Sequence, residues 1–268
     1  GYLATTKSPN VHAMTHYGDY LYCGARYPET GGVNNMIKIK KTDYSDKLYT
    51  EIRYSSDTDP QTIYMVEKLV RVGTYLYAVA WANVGGVSTN LMIQYNISND
   101  TYKIFKLPST YGTMYGSPIF TDGTNLYVLA NLINEGDYTN NWTVIKYLAS
   151  DFQNPAWGKY NTAYGDTGVP ISPVDTMALS GVSADYYGYH AATTDATHAY
   201  LSFLDGNFGP ASKLLKMQFS TFTIVATADV PAAADDIVIL LLTYFSGLRE
   251  ANISQHGLLL PSVRVTWP

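Results

Sequence analysis

The eight residues Gly18-Asp19-Tyr20-Leu21-Tyr22-Cys23-Gly24-Ala25 decide the fold, because the chain repeats the pattern three more times, the last copy being weaker than the others. The copies stand at 73–80 (GTYLYAVA), 123–130 (GTNLYVLA) and 196–203 (ATHAYLSF). The fifth residue of every copy is a tyrosine: Tyr22, Tyr77, Tyr127 and Tyr200. Similar segments that recur roughly every 50 residues are the signature of a repeat architecture. The sequence therefore predicts an array of similar units.

Three further segments surround each copy at nearly constant distances. A triplet that begins with Ile or Leu follows the tyrosine, at 37–39, 93–95, 145–147 and 215–217. Another extended segment comes after a polar turn, at 48–53, 102–107, 158–162 and 223–228. One more precedes the copy, at 11–17, 66–72, 118–122 and 189–194. Each unit is therefore predicted to hold four short strands, joined by tight turns and one long loop.

This pattern predicts an all-β chain, a β-propeller of four-stranded antiparallel blades. Blade-like units are expected at about 11–55, 63–108, 117–165 and 187–230, within a single domain of residues 1–268. About five blades fit this length, with an irregular closing segment at 231–268, and six or seven if the chain is a fragment. The segment 150–188 breaks the period as a long insertion, and such insertions are usually functional. The alternative is a β-sandwich with chance similarity between its segments.

The third copy carries a resemblance to a known family. Thr121-Asp122-Gly123-Thr124-Asn125-Leu126-Tyr127-Val128 resembles the DG-x-x-LYV blade of the YVTN-type and related propellers, over about residues 11–230. The resemblance implies a propeller architecture, and it implies no catalytic residue because the motif belongs to the scaffold. The Asp-Gly pair occurs in the third copy alone, and the sequence lacks the signatures of WD-repeat and sialidase-like propellers.

Composition argues against several functional classes. The net charge of −5 and the pI of about 5.4 argue against a nucleic-acid partner, which needs a basic face. The longest apolar run, 237–242, is far shorter than the ~20 residues of a membrane span. The single Cys23 excludes an internal disulfide. The 25 tyrosines and the scarcity of charge favour β structure and resemble the surfaces of secreted or virion-exposed proteins.

Long Gly- and Asn-rich loops between the second and third strands form the first candidate site. They are expected at 25–35, 81–90, 131–141 and 204–212, on one face of the propeller, called the loop face below. Aromatic rings stack on sugar C–H faces, and amides and carboxylates pair with sugar hydroxyls. The predicted binding residues are Tyr27, Glu29, Trp81, Asn83, Asn134, Asp137, Trp142, Asp205, Asn207 and Phe208. The alternative is that these residues only form turns and cover blade edges.

A ring of polar residues on the innermost strands is the second candidate site. Alignment of the four copies places His12, Glu67, Ser117 and His190 at one equivalent position, six residues before each copy begins. Two imidazoles and a carboxylate suit a divalent metal such as Zn or Mn, and they also suit acid–base chemistry near neutral pH. The alternative is a polar, water-filled channel mouth.

Two functional hypotheses follow from these patterns. In the first, the chain is a non-enzymatic binding or structural module without a cofactor, extracellular or on a virion surface, as in a phage tail or receptor-binding component. Its loop face would recognise a glycan or a protein surface. In the second, it is a propeller enzyme, either a polysaccharide lyase or hydrolase or lactonase-like, with a metal or histidine site at the central channel. The first is favoured because the repeated motif is scaffold while the loops vary.

Overall fold

The structure is a computed structural model that describes residues 10–26, 36–50, 52–54, 61–62, 66, 68–84, 87–108, 110, 118–133, 140–153, 171–180, 182, 190–203 and 211–231. The predicted closing segment 231–268 lies outside these ranges apart from its first residue. The chain divides into two compact units, Gly1–Ser180 and Gly181–Pro268, which are described separately. Within the described ranges there is no α-helix and no helix with the length and apolar character of a membrane span.

Three four-stranded antiparallel sheets are formed by the described residues of the first unit. Sheet 1 contains β1 (Asn10–Tyr17), β2 (Tyr20–Arg26), β3 (Met36–Lys40) and β4 (Asp43–Thr50). A two-stranded ribbon of β5 (Arg53–Tyr54) and β6 (Gln61–Thr62) follows. Sheet 2 contains β7 (Val70–Val72), β8 (Tyr75–Val84), β9 (Val87–Asn96) and β10 (Thr101–Lys106). Sheet 3 contains β11 (Ile119–Thr121), β12 (Asn125–Ile133), β13 (Asn140–Leu148) and β14 (Asp175–Ala178), with a short 3₁₀ helix at Ala149–Gln153 after β13.

One sheet of the same design lies in the second unit. Sheet 4 contains β15 (His190–Thr194), β16 (His198–Phe203), β17 (Ala211–Gln218) and β18 (Thr223–Pro231). In all four sheets each strand pairs only with the strands before and after it in the sequence. Every sheet is therefore an antiparallel meander.

The prediction of an all-β chain with four-stranded antiparallel, blade-like sheets is confirmed. Each recurring tyrosine lies on the second strand of its sheet, and none is more than 2% exposed. The cross-strand partners of these tyrosines are the middle residues of the predicted triplets: Lys38, Gln94, Lys146 and Lys216. The sequence repeat thus matches the pairing register of all four sheets, while the closed ring and its blade number stay predictions.

Two details of the predicted units are wrong. The fourth strand of the third unit is not at 158–162, because sheet 3 ends with β14 at Asp175–Ala178. Hydrogen bonds from the N–H of Val174 to the Lys146 carbonyl and from the N–H of Leu179 to the Trp142 carbonyl, both 2.8 Å, extend that pairing. The predicted loop at 81–90 is mostly strand, because β8 and β9 remain paired up to Val84 and Val87.

Sheet 2 packs between its two neighbours in the first unit. Leu76 and Ala78 on one face of β8 share a buried cluster with Tyr22 of sheet 1. On the other face, Tyr77 shares a second cluster with Val128 of sheet 3. Side chains alternate between the two faces of a strand, so β8 has to be apolar on both. Tyr22 packs against sheet 2 and Tyr77 packs against sheet 3, so each of these tyrosines faces the next sheet along the chain.

A main-chain hydrogen bond recurs at one end of all four sheets. The residue after the third strand donates its N–H to a carbonyl in the turn between the first two strands, over 2.8–3.2 Å. The pairs are Lys41 and Asp19, Ile97 and Thr74, Ala149 and Thr124, and Phe219 and Thr197. In the first three sheets the preceding residue of that turn is a glycine with positive φ, at Gly18, Gly73 and Gly123. Only glycine enters this left-handed region without a steric penalty.

Gly24 allows a close approach between sheet 1 and the segment that leads into sheet 2. The N–H of the fully buried Val66 donates to the Ala25 carbonyl over 3.2 Å. A Cβ placed on Gly24 would overlap the carbonyl oxygen of Val66. The missing side chain is therefore what brings these two backbones together.

Candidate functional site

The loop face lies at the end of the sheets where second strands join third strands. Trp81 and Asn83 lie on β8, opposite Asn90 and Ser88 of β9, and Trp142 lies on β13. The side chains of Trp81 and Asn83 are outside what the structure describes. Seven predicted binding residues lie outside the described residues altogether: Tyr27, Glu29, Asn134, Asp137, Asp205, Asn207 and Phe208.

Two hairpin extensions, called arms below, continue sheets 2 and 3 at this end. The first arm is β8 and β9 beyond Trp81 and Asn90, where, among the described residues, these two strands pair with each other alone. The second arm is β12 and β13 beyond Asn131 and Trp142. A paired hairpin holds its residues more rigidly than an open loop, because its backbone hydrogen bonds are internal.

The two tryptophans occupy the same level of neighbouring sheets. Trp81 stands four residues after Tyr77, and Asn131, the partner of Trp142, stands four residues after Tyr127. The register therefore brings both tryptophans to the base of an arm. The Trp142 side chain is only 4% exposed. Its burial fits the alternative in which an aromatic residue covers a blade edge.

The predicted polar ring of His12, Glu67 and His190 is described only in part. His12 lies on β1 at an irregularity, since Val11 pairs with Ala25 while Ala13 pairs with Gly24. It is therefore the extra residue of a β-bulge. His190 lies on β15 in regular register, opposite Phe203. Glu67 and the side chains of both histidines are outside the described residues.

Metal binding by this ring stays a prediction. His12 belongs to the first compact unit and His190 to the second. Within the described residues no three His, Cys, Asp or Glu side chains are grouped so that they could hold a metal ion.

Sequence reasoning missed a polar group around each recurring tyrosine. In sheets 1, 3 and 4 the cross-strand residue is a lysine, whose Nζ lies 5.8–6.0 Å from the ring centroid of Tyr22, Tyr127 or Tyr200. In sheet 2 the amide of Gln94 instead donates to the Tyr77 hydroxyl over 3.0 Å. The signal was present in the sequence, because the middle residue of every triplet is Lys or Gln.

An aspartate five residues before the tyrosine completes this group in sheets 3 and 4. The hydroxyls of Tyr127 and Tyr200 donate to Oδ2 of Asp122 and Asp195, both over 2.8 Å. The other oxygen of each carboxylate accepts two backbone N–H groups of the adjoining turn, over 2.7–2.9 Å. Each aspartate therefore links the backbone of its turn to the recurring tyrosine of the same sheet through hydrogen bonds.

These hydrogen bonds shift the pKa values of both partners. Burial raises the pKa of the Asp195 carboxyl, but the Thr197 N–H, the Tyr200 hydroxyl and the His198 N–H outweigh it and lower this pKa to about 2. Burial, followed by the hydrogen bond to the carboxylate, raises the pKa of Tyr200 well above its usual value. The aspartate therefore stays ionised and the tyrosine stays neutral across the physiological range.

Sheet 1 has Tyr17 in place of this aspartate, and the neighbouring sheet supplies the carboxylate. Asp100, in the turn between β9 and β10, accepts from Nζ of Lys38 at 2.8 and 3.0 Å. Its Oδ1 also accepts from the Tyr95 hydroxyl over 3.0 Å. Burial lowers the pKa of Lys38, but the hydrogen bond to Asp100 outweighs it and raises this pKa. Lys38 and Asp100 form an ion pair between sheets 1 and 2.

Thr197, His198 and Asp195 have the composition of a nucleophile–base–acid triad but the geometry of a turn. The Thr197 hydroxyl is 2.8 Å from His198 Nδ1, and it also donates to Asp195 Oδ1 over 3.0 Å. In a catalytic triad the carboxylate and the nucleophile contact opposite ring nitrogens. Here the same ring nitrogen, Nδ1 of His198, faces both the Thr197 hydroxyl and the Asp195 carboxylate. The carboxylate also accepts hydrogen bonds from two backbone N–H groups. The three residues therefore order the start of β16.

Exposed cations and an aromatic ring gather at the opposite end of sheets 1 and 2. This turn-end cluster consists of His16, Tyr17, Lys41 and Arg71. Lys41 Nζ is 2.8 Å from the Gly18 carbonyl oxygen and 3.5 Å from His16 Nδ1. The Arg71 guanidinium carbon lies 5.0 Å from the ring centroid of Tyr17. The cluster bridges two sheets at the surface.

Comparison with known proteins adds no family to this description. No protein-family model matches the chain, and no curated protein is significantly similar to it.

Proposed function

We propose that the chain is a non-enzymatic β-propeller binding module, extracellular or on a virion surface, whose loop face recognises a glycan. The observation that carries the proposal is the pair of arms that extend sheets 2 and 3 at the loop face. Of the predicted contact residues, Trp81 lies at the base of the first arm and Asn83 lies on that arm. Trp142 is buried at the base of the second arm and is not part of the proposed contact. An indole face with nearby amides suits a sugar, whose C–H faces stack and whose hydroxyls pair with polar groups.

The scaffold beneath the arms supports this proposal. The buried Tyr–Lys groups and the recurring main-chain bond hold the sheets without using the arms. The carboxylates of Asp122 and Asp195 accept hydrogen bonds from backbone N–H groups of the turns and from tyrosine hydroxyls, so they belong to the scaffold. A rigid frame with variable projecting segments is the design of many recognition domains.

Glycan-array screening followed by titration with the best hit tests this proposal. We expect Trp81→Ala to weaken binding about tenfold or more, since central aromatic anchors dominate recognition energy. Tyr44→Ala is the matched control, because Tyr44 is an aromatic residue of β4 that is 65% exposed at the turn end. Equal losses in the two variants, or no glycan bound by the wild type, would contradict the proposal.

Metal analysis separates this function from the enzyme hypothesis. One equivalent of bound Zn or Mn that disappears in both His12→Ala and His190→Ala would favour a propeller enzyme. A chain that binds glycan equally well before and after chelation supports the binding module.

A further inference from the structure

The two arms have facing sides whose composition suits an uncharged sugar chain. We propose that the arms of sheets 2 and 3 hold a neutral glycan between them, on the faces that these two sheets turn toward each other. This inference rests on the proposed function, because it locates the same recognition site more closely and assigns the ligand a charge. It adds Ser88 and Asn141 to the predicted contact residues.

Strand register decides which residues of the first arm lie on the side of sheet 3. Tyr77 of β8 packs in the buried cluster that is shared with sheet 3, and the pairing of β8 with β9 contains no irregularity up to the end of the arm. Because alternate residues of a strand lie on one face, the Tyr77 face continues through Trp81 and Asn83. The cross-strand partners of these two residues, Asn90 and Ser88, lie on the same face.

The same argument identifies the side of the second arm that faces sheet 2. Val128 of β12 lies in the shared cluster, and β12 pairs with β13 without irregularity. The Val128 face therefore continues to Leu132 and, across the strands, to Asn141. Asn140 and Trp142, the chain neighbours of Asn141, lie on the opposite face. The buried Trp142 is thus excluded from a site between the arms.

The facing sides become polar at the base of the arms. On β9, Asn90 follows Met92 of the buried cluster on the same face, and on β13 Thr143 stands in the same relation to Ile145. Asn90 and Thr143 are each only 4% exposed. They are two of the four Asn, Gln, Ser or Thr residues that are buried in the described part of the chain. Apolar packing between the two sheets therefore gives way to hydrogen-bonding groups at this level.

The charge of the arms argues for a neutral ligand. The stretches 81–90 and 131–142, which include both arms and their connections, contain no Lys, Arg or His, and Glu135 and Asp137 are their only charged residues. An anionic sugar would meet two like charges and no cation, which disfavours it. Neutral hydroxyls can instead pair with amides and carboxylates, while the indole of Trp81 offers a stacking surface for C–H groups.

A glycan array tests the charge of the ligand when it presents neutral hexose oligomers beside uronic-acid and sialylated oligomers of equal length. We expect the neutral oligomers to bind about tenfold more tightly than the acidic ones, because the arms have no counter-ion for a carboxylate. A preference for acidic oligomers would overturn the inference while leaving the proposed function intact.

Titration of the best neutral oligomer into alanine variants tests the location. Asn83→Ala and Asn141→Ala each remove one amide from a facing side, and each should weaken binding about fivefold, the effect of one lost hydrogen bond. Thr89→Ala and Asn140→Ala are the controls, because these residues lie on the opposite faces of the same arms. Each control should change the affinity by less than about twofold.

The outcomes separate this inference from the proposed function. Equal losses in Asn141→Ala and Asn140→Ala, or a loss in only one of the two facing variants, would overturn the placement between the arms. The proposed function would survive that result if Trp81→Ala still weakens binding. A wild-type chain that binds no glycan would overturn the proposed function and this inference together.

Discussion

At the scale of single residues, four equivalent tyrosines satisfy their hydroxyls in different ways. Tyr127 and Tyr200 donate to an aspartate in the turn before their own strand, whereas Tyr77 donates to the Ala149 carbonyl over 3.2 Å and accepts from Gln94. A buried phenol must find a partner, because losing its hydrogen bonds to water is costly. The ring position is therefore fixed by packing, and the polar partner varies with the sequence around it.

Asp195 should make stability depend on pH in the acidic range. Its folded pKa of about 2 is below the unfolded value of about 3.9, so its contribution is complete above about pH 5 and is lost as the pH falls toward 2. We expect Asp195→Asn to destabilise the chain by about 1 kcal/mol at neutral pH, a figure reduced for partial exposure. Urea unfolding at several pH values should show this difference shrinking between pH 4 and pH 2.

Asp19 supplies the matched control for this measurement. It occupies the corresponding turn of sheet 1 and is exposed. Asp19→Asn should change the free energy of unfolding by less than about 0.5 kcal/mol. The prediction fails if the free energy of unfolding of the wild type exceeds that of Asp195→Asn by the same amount from pH 7 to pH 2. The carboxylate would then not act through its charge.

At the scale of elements, two glycines of sheet 1 are required for different reasons. Gly18 has a φ of 52° in open space, whereas Gly24 lies against the backbone of Val66. An alanine at position 18 meets a conformational penalty and no obstacle. At position 24 it would push a carbonyl away and weaken the packing of sheet 1 on sheet 2.

Gly24→Ala should therefore cost more stability than Gly18→Ala. We expect about 3 kcal/mol for the overpacked site and about 1 kcal/mol for the turn. Urea denaturation of both variants measures the two values. A smaller loss for Gly24→Ala than for Gly18→Ala would contradict the close approach between the two segments.

Strand positions were predictable wherever a local repeat determines them. The tyrosine motif and the Ile/Leu triplet give the second and third strands, because alternation and cross-strand pairing act over short distances. The fourth strand of sheet 3 was missed because β14 follows a long segment, and its register depends on long-range bonds from Val174 and Leu179. The segment 81–90 is predicted to be a loop because it contains Gly85-Gly86 and two asparagines, but β8 and β9 stay paired up to Val84 and Val87.

At the scale of the whole molecule, the Lys38–Asp100 ion pair ties sheet 1 to sheet 2. Its side chains are only 16% and 27% exposed, so solvent screens the pair less than a surface pair. A double-mutant cycle with Lys38→Met and Asp100→Asn should give a coupling energy of about 1 kcal/mol. Asparagine suits position 100 because it tolerates the left-handed φ of 55°. A coupling energy of zero would show that this ion pair does not help to hold the two sheets together.

Less of the candidate site than of the fold could be predicted from the sequence. Trp81 and Trp142 were placed at the correct end of their sheets, because the repeat fixes the register. The sequence left open whether Trp142 binds a ligand or covers a blade edge, since exposure depends on packing around the arm, and its burial fits the second alternative. The turn-end cluster was also missed: His16, Lys41 and Arg71 are far apart in sequence and meet only because adjacent turns align.

The recurring main-chain bond at the turn end has a practical consequence for protein engineering. Because it uses only N–H and carbonyl groups of the turn end, it places no demand on the segments at the far end of the strands. Foreign peptides could therefore be grafted between β16 and β17 while the main-chain bond at the other end of sheet 4 is preserved. The chain would then serve as a scaffold for libraries of diversified hairpins, selected for new targets.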